Sequence, residues 1–252
     1  MLARRTFLAL AGLAALSLPG EARAQQTVRI GSTPTGVPFT FLNTQNNQIE
    51  GIMVDIVKAL GKVEGFEVKI EPMQFSTLID TLKSSRIDVI AAAMFITDAR
   101  KQVVDFSDPI VTYGDGLFVN KSDKTEYKDI SELKGKAVGA QLGTTFVGQL
   151  QQAGIFSEVK IYDTLPDVLR DVNAGRIAAG VADEPIVAYN IQQGRFPNVR
   201  LVKGYKPIAM GTVGLAVRKT DADLLKKINA GLGKMKADGT LKAILTKWGV
   251  EG

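Results

Sequence analysis

Histidine and cysteine are both absent from this sequence of 252 residues. Their absence excludes Ser-His-Asp and Cys-His catalysis, thiolate chemistry and the usual zinc sites. It also excludes disulfide bonds and lipid attachment through an N-terminal cysteine. No Walker A loop is present and no Gly-x-Gly-x-x-Gly motif follows a strand, so nothing supports nucleotide binding. We therefore expect no cofactor and no metal, and any catalysis would rest on Asp, Glu, Lys or Tyr.

Long runs of one charge are also missing. The chain has 31 Lys and Arg against 26 Asp and Glu, a net charge of +5, but the basic residues stand singly or in pairs. Aromatic residues do not interleave with them, so we expect no nucleic-acid partner. Hydrophobic residues make up 45% of the chain, enough for the core of a globular protein.

The N-terminus carries the one extended apolar stretch, Phe7–Leu18, which is shorter than the roughly 20 residues that a membrane-spanning helix needs. It follows the basic pair Arg4-Arg5 and precedes the small-residue pattern Ala22-Arg23-Ala24, so residues 1–24 are predicted to be a cleavable export signal. The pair fits a twin-arginine signal and an ordinary secretory signal equally well. Cleavage would leave a mature net charge of +3 on a protein that we expect to be soluble in the periplasm, or secreted.

Short apolar strands alternate with helical patterns in the first half of the chain. The predicted elements are a strand at 27–32, a helix at 53–65, a strand at 66–71, a helix at 76–85 and a buried strand at 87–94. Gly61 and Gly65 are both plausible ends of the first helix. This β-α-β-α-β order predicts an α/β fold with a mostly parallel sheet covered by helices.

The second half repeats this scheme. When residues 75–93 are set over 165–183, the apolar helix positions coincide and the pair Arg86-Ile87 falls on Arg176-Ile177. Any helix-turn-strand unit would look much like this, but a second similar lobe is the simplest account.

The ends of the two matched strands predict the place of a ligand. Ala93, Met94 and Phe95 end one strand, and Asp183 and Glu184 end the other. Ligands of open α/β sheets bind beyond the carboxyl ends of the strands. A cleft between two lobes is therefore expected.

A third element belongs to the same cleft. Residues 137–140 predict a strand, the chain turns through Gly143, and Thr144 and Thr145 open a helix. The first amides and the dipole of such a helix favour an anion. An ordinary helix cap at Thr144 explains the pattern as well.

Six segments, spread in order over almost the whole mature chain, resemble one family. They are VRIGSTPTGVPF, GIMVDIVKAL, RIDVIAAAMFITDARKQVVDFSDP, LKGKAVGAQLGTT, AGRIAAGVADEP and ADGTLKAILTKWG. From about residue 28 to 250 the chain is similar to the family 3 periplasmic solute-binding proteins, the soluble receptors of ABC importers for polar amino acids.

The resemblance implies a type II periplasmic binding protein fold, with two α/β lobes joined by two hinge strands. The implied bounds are 27–112 plus 214–252 for lobe 1, 118–210 for lobe 2, and hinges near 113–117 and 210–214. Trp248 and the last helix would then serve packing and not ligand binding.

The resemblance also implies a binding site for a small zwitterion. Arg100 would hold the ligand's carboxylate with its guanidinium fork, helped by the main chain at Thr144 and Thr145, and Asp183 would accept from its ammonium. The alternative for Arg100 is a surface ion pair with Asp98 or Asp105. For Asp183, the alternative is a helix cap before the proline that follows Glu184.

Departures from the family pattern concern the ligand's side chain. Thr33 stands where relatives that prefer cationic ligands often carry an acid, Gly36 where many carry an aromatic, and Phe95 where Ser or Thr is usual. Phe75 and Phe95 are expected either to wall the side-chain pocket, which would suit a methylated or delocalised cation or an apolar group, or to be core residues. An ectoine-like or betaine-like solute is one interpretation, and an ordinary amino acid is the expected ligand. The whole predicted site is Phe75, Ala93, Met94, Phe95, Arg100, Gln141, Thr144, Thr145 and Asp183.

The function predicted from the resemblance is that of a monomeric substrate-binding protein that closes on its ligand and delivers it unchanged to an ABC transporter permease. The alternative is a periplasmic enzyme on the same fold, a cyclohexadienyl or prephenate-type dehydratase, with Glu184 as the general acid. A sensory or cell-wall enzyme context, in which this module is fused to another domain, is a third class. We expect a stand-alone chain.

Overall fold

The structure of this chain is a computed structural model, which describes residues 26–250. The export signal predicted over residues 1–24 lies outside the described residues. Every helix within residues 26–250 is too short or too polar to span a bilayer.

Fourteen strands and eight α-helices make up the described chain. The helices are α1 Ile52–Glu64, α2 Leu78–Lys83, α3 Asp98–Lys101, α4 Thr145–Ala153, α5 Leu165–Asn173, α6 Glu184–Gln192, α7 Ala222–Ala237 and α8 Thr240–Lys247. The strands are β1 Thr27–Ser32, β2 Thr35–Gly36, β3 Thr40–Asn43, β4 Gln48–Glu50, β5 Glu67–Pro72, β6 Val89–Ile90, β7 Asp105–Phe106, β8 Val111–Asn120, β9 Ala137–Gln141, β10 Glu158–Tyr162, β11 Ala179–Asp183, β12 Val199–Leu201, β13 Met210–Val213 and β14 Ala216–Val217.

The first sheet has the strand order β5-β1-β6-β14-β7 and is the centre of one lobe. β1 pairs in parallel with β5 and β6, as the alternation of strands and helices predicts. β14 pairs antiparallel with β6 and β7, so the C-terminal part of the chain returns to this lobe. Helices α1, α7 and α8 pack together, and α1 covers β5.

The second sheet has the order β10-β9-β11-β8-β12 and is the centre of the other lobe. β9 is parallel to β10 and β11, and β8 is antiparallel to β11 and β12. α5 leads into β11 beside β9 as α2 leads into β6 beside β1, which confirms the second similar lobe. The matched apolar positions are buried in both helices: Leu78 and Leu82 in α2, and Val168, Leu169 and Val172 in α5.

Two antiparallel strands, β8 and β13, connect the lobes and are called the crossing strands below. Their register sets Gly211 opposite Tyr113 and Val213 opposite Val111. Beyond this pairing, β8 runs on into the second sheet, whereas β13 leads to β14 in the first. The fold class is confirmed. The residue bounds given above for lobes and hinges stay predictions.

The buried strand predicted over residues 87–94 is much shorter in the structure. Only Val89 and Ile90 pair as β6; the chain then leaves the sheet, and Ala93 has a φ of 53°. Phe95 forms an isolated antiparallel bridge with Val213 of a crossing strand. The expectation that residues 93–95 end a strand is therefore wrong, because an apolar run shows burial but not whether the buried backbone is extended.

Of the two predicted ends of the first helix, Gly65 is confirmed and Gly61 is wrong, and the second helix is shorter than predicted. Gly61 lies inside α1, where a Cβ would come within 2.7 Å of the Phe66 carbonyl oxygen, and Gly65 ends the helix in the left-handed conformation at φ 73°. The helix predicted over 76–85 consists of a 3-10 turn at Phe75–Thr77 followed by α2.

Candidate functional site

Arg100 lies on the one-turn helix α3, whose N-cap Thr97 accepts a hydrogen bond from the Arg100 amide at 3.2 Å. Arg100 is only 9% exposed. The guanidinium donates to the Phe95 carbonyl at 2.7 Å and, across the cleft, to the Gly143 carbonyl at 3.0 Å. Arg100 therefore links the two lobes directly.

The alternative reading of Arg100 as a surface ion pair is wrong. Asp98 faces Lys101 at 3.9 Å, and Asp105 faces Lys219 at 3.2 Å. Burial lowers the pKa of Arg100 to about 10, and the nearby Asp183 opposes this effect. The guanidinium stays charged at neutral pH. Among the described residues it forms no salt bridge with a carboxylate, so the cleft holds a buried and unpaired cation.

The turn before α4 brings two predicted residues to this cation. Thr144 is the N-cap of α4, yet its hydroxyl donates to the Gln141 carbonyl at 2.7 Å and makes no capping bond. The hydroxyl of Thr145 is buried and has no hydrogen-bond partner within residues 26–250. An uncapped helix N-terminus with a free hydroxyl beside a buried arginine favours an anion.

Asp183 ends β11 and precedes α6, on the lobe opposite Arg100. Its side chain makes no capping hydrogen bond to α6, so the helix-cap alternative is not realised. Burial raises the pKa of Asp183 to about 6. Tyr113 and Arg100 pull this pKa down, whereas Asp115 pushes it up. At pH 7 the group is an ionised carboxylate that a ligand cation would stabilise.

The two predicted phenylalanines have different environments. Phe75 is half-buried, and the Arg100 guanidinium carbon lies 5.7 Å from its ring centroid. Phe95 is 5% exposed and packs on Tyr113, with ring centroids 5.1 Å apart, and edge-on to Phe146, at 6.0 Å. A Cβ added to Gly211 would lie 2.1 Å from the Phe95 ring, so this ring rests on the crossing strand.

The side chains of three other predicted residues do not face the cleft. Met94 is buried in a separate core cluster with Leu78 and Leu82. Gln141 donates from its side-chain amide to the Asp163 carbonyl at 3.2 Å. Ala93 is buried in the main core and offers only its backbone.

Sequence reasoning missed Tyr113 and Phe146. Tyr113 is buried on β8 beside Phe39, with ring centroids 5.3 Å apart. The available signal was its alternation with Asp115, since both residues lie on one face of an extended segment and both are buried. Reading the segment as a bending hinge concealed this pattern.

Glu184 and Trp248 share one cavity, which Tyr113 also lines. Glu184 is exposed and lines a cavity of about 430 Å³ together with Tyr189 and Trp248. Trp248 donates to Asp55 at 2.9 Å and packs edge-on to Phe41. These two contacts fix it against the first lobe.

The two lobes are closed on one another. Arg100 and Phe75 come from the first lobe, whereas Gly143, Thr145 and Asp183 come from the second. Two lobes connected by a pair of crossing strands, with a cation on one side of the cleft and a carboxylate on the other, define a two-lobed solute-binding protein.

Comparisons with known proteins agree with this class. The family model of the bacterial extracellular solute-binding proteins, family 3, matches residues 28–251, and the chain belongs to this family. The L-arginine-binding protein of Pseudomonas aeruginosa is 36% identical over 250 residues, covering 94% of this chain and 92% of that protein. The L-cystine-binding protein TcyJ of Escherichia coli (strain K12) is 32% identical over 231 residues, covering 92% and 85%. The solved structure of an ancestral arginine-binding protein bound to glutamine has a TM-score of 0.83 at 36% identity, covering 90% of this chain and 100% of that chain.

Proposed function

We propose that this protein is the periplasmic substrate-binding component of an ABC importer for an amino acid. The observation that carries the proposal is the opposed pair of a buried Arg100 and a partly buried Asp183 on facing lobes. Relatives named as binding proteins for arginine and cystine support the class of ligand.

The ligand's carboxylate binds at Arg100. The guanidinium has five N–H donors, of which the structure shows two hydrogen-bonded to the carbonyls of Phe95 and Gly143, so it can offer others to an anion. The hydroxyl of Thr145 and the N-terminal amides of α4 complete the anion site. Each of these groups favours a negative charge at the same place.

The ligand's ammonium binds at Asp183. Its carboxylate lies on the opposite lobe, so a zwitterion of the right length neutralises both buried charges at once. Closure around the ligand is then favoured over closure without it, because an unpaired buried charge is destabilising. This difference gives the receptor its ligand-dependent shape.

The aromatic rings shape the remainder of the pocket. Phe75, which lies beside Arg100, is the ring that a ligand side chain can reach in the closed protein. The ring of Phe95 is already packed against Gly211, Tyr113 and Phe146. An ordinary amino acid fits this arrangement. Ectoine and betaines belong in the same screen, since an aromatic wall also suits a methylated or delocalised cation.

The ligand leaves the protein unchanged and passes to a membrane permease. Glu184, the candidate general acid of a dehydratase, is an exposed side chain, and the relatives are named as binding proteins. Recovery of the added compound intact by mass spectrometry is the expected result. Conversion of prephenate to phenylpyruvate would contradict it.

A calorimetric screen of amino acids against mature protein freed of ligand tests the binding function. Arg100→Ala should abolish detectable binding while the variant stays folded, because the substitution removes the guanidinium that donates to the ligand's carboxylate and also removes a buried charge. Arg86→Ala is the matched control, since Arg86 is exposed and its side chain donates only to Ser84. Retained affinity in a folded Arg100→Ala variant would remove Arg100 from the site.

A further inference from the structure

Tyr113 is a buried tyrosine whose ring is held by packing. It is 8% exposed, and its ring lies 5.3 Å from Phe39 and 5.1 Å from Phe95, measured between centroids. Both neighbours are themselves buried. The position of the Tyr113 hydroxyl is therefore fixed by the aromatic cluster.

The hydroxyl is not explained by packing. It is buried, and among the described residues it has no partner in normal hydrogen-bond geometry. Burying a hydroxyl without a partner is unfavourable, and a phenylalanine would fill the same space without that penalty. The hydroxyl therefore points to a function other than packing.

The strand register places this hydroxyl beside Asp183. Asp183 pairs with Asp115 across β11 and β8, and Tyr113 lies two residues before Asp115 on the same strand face. Diagonal neighbours of this kind are about 7–8 Å apart, within reach of an aromatic side chain. The charges of Asp183 and Arg100 both act on the Tyr113 hydroxyl, which is therefore near the groups proposed to bind the ligand's two ends.

We propose that Tyr113 is a positioning residue of the ammonium site: its hydroxyl donates to the Asp183 carboxylate, which orients that carboxylate and keeps it ionised for the ligand. The ligand's ammonium then donates to the remaining lone pairs of the carboxylate. This proposal rests on the proposed function, because it assumes a ligand with an ammonium group.

Three charged or titratable side chains act on Asp183. Tyr113 and Asp115 face it from β8, and Arg100 faces it from α3. Tyr113 and Arg100 favour the ionised carboxylate, Asp115 opposes it, and burial opposes it most. Removing the Tyr113 hydroxyl takes away one of the two groups that lower the pKa of Asp183. The carboxylate would then take up a proton at a higher pH.

A titration without ligand tests the contact itself. The carboxyl carbon of Asp183 is followed by NMR against pH in the wild type and in Tyr113→Phe, and its signal is assigned by its loss in Asp183→Asn. We expect the midpoint to rise in Tyr113→Phe. An unchanged midpoint would overturn the assignment of Tyr113.

Binding measured at several pH values tests the effect on the ligand. With L-arginine, L-cystine, L-histidine and L-glutamine as probes, Tyr113→Phe should bind about tenfold more weakly than the wild type at pH 7, the typical loss for a hydrogen bond to a charged group. This ratio should grow as the pH falls from 8 to 6, because the variant loses its ionised carboxylate first. A purely structural tyrosine would give a ratio that does not vary with pH.

Tyr127→Phe is the matched control. Tyr127 is also buried, but its hydroxyl donates to Asp123 at 2.8 Å, away from the cleft. We expect this control to lower the melting temperature and leave affinity unchanged, whereas Tyr113→Phe should melt no lower than the wild type. If the wild type binds none of the four amino acids, the proposed function is wrong, and so is the proposed effect of Tyr113 on ligand affinity. A wild type that binds, with an affinity unchanged in Tyr113→Phe, overturns the Tyr113 proposal alone.

Discussion

At the scale of single residues, binding and stability oppose each other at Asp183. Burial raises its pKa to about 6, above the ordinary 3.8. The folded state therefore holds this proton more tightly than the unfolded state, and the free energy of unfolding decreases as the pH rises from about 4 to 6. At pH 7 the ionised carboxylate destabilises the ligand-free protein.

Asp183→Asn should accordingly abolish ligand binding and stabilise the ligand-free protein at pH 7 by about 1–2 kcal/mol. Thermal unfolding measures this stabilisation as a rise in the melting temperature of roughly 2–4 °C per kcal/mol. Asp171→Asn is the opposite control, because Asp171 accepts hydrogen bonds from Lys160, Tyr162 and Arg176, which hold its pKa well below the ordinary value. That variant should melt lower. If Asp183→Asn also melts lower, Asp183 is a structural carboxylate.

At the scale of elements, the crossing strand β13 is shaped to receive an aromatic ring. A Cβ on Gly211 would overlap the Phe95 ring at 2.1 Å, so only glycine permits this contact. The ring in turn packs on Tyr113 of the other crossing strand and on Phe146 of α4. One side chain therefore ties both crossing strands to the second lobe.

Gly211→Ala should displace Phe95 and destabilise the fold by about 1–3 kcal/mol, the usual effect of overpacking a core. Urea denaturation measures the change, and ligand affinity should fall with it because Tyr113 loses its neighbour. Gly233→Ala is the matched control. Gly233 is exposed in α7 with open space around it, so alanine should stabilise by about 0.5–1 kcal/mol. Equal effects of the two substitutions would contradict the packing described here.

At the scale of the whole molecule, closure brings one loop of the second lobe against a turn of the first. Gly143 has a φ of 82°, and a Cβ there would lie 2.9 Å from the Cα of Ser76. Its carbonyl accepts from Arg100 at 3.0 Å. Only glycine fits this position when the lobes are closed.

Gly143→Ala should hold the lobes apart and weaken ligand binding by at least tenfold. Small-angle X-ray scattering should show that ligand makes the wild type more compact but not this variant. Gly154→Ala has the same left-handed backbone strain, at φ 63°, but a Cβ there would come no nearer than 3.9 Å to the Gln152 carbonyl oxygen of α4. It should lose stability and still close. Closure of Gly143→Ala on ligand would show that the contact with Ser76 is not required.

Much of the architecture was predictable because it is encoded locally. The alternation of apolar strands and amphipathic helices predicted two α/β lobes, and the match of 75–93 with 165–183 corresponds to α2-β6 and α5-β11 in the structure. The strand predicted over 87–94 was wrong in its length, because its apolar residues stay buried beyond Ile90 without continuing a ladder. Periodicity reports burial on one element and not the path of an irregular segment.

The sequence by itself determined the family, the fold class and the identity of Arg100 and Asp183 as candidate ligand-binding groups, since residue types in a fixed order suffice for these inferences. Only the tertiary structure decided that Arg100 is buried without a carboxylate partner in the described chain, that Phe95 packs on Gly211, and that Tyr113 lies beside Asp183. Each of these facts depends on residues that are far apart in the chain and meet only in the folded protein. Burial and the pKa of a carboxyl are set by such meetings, and a linear pattern does not contain them.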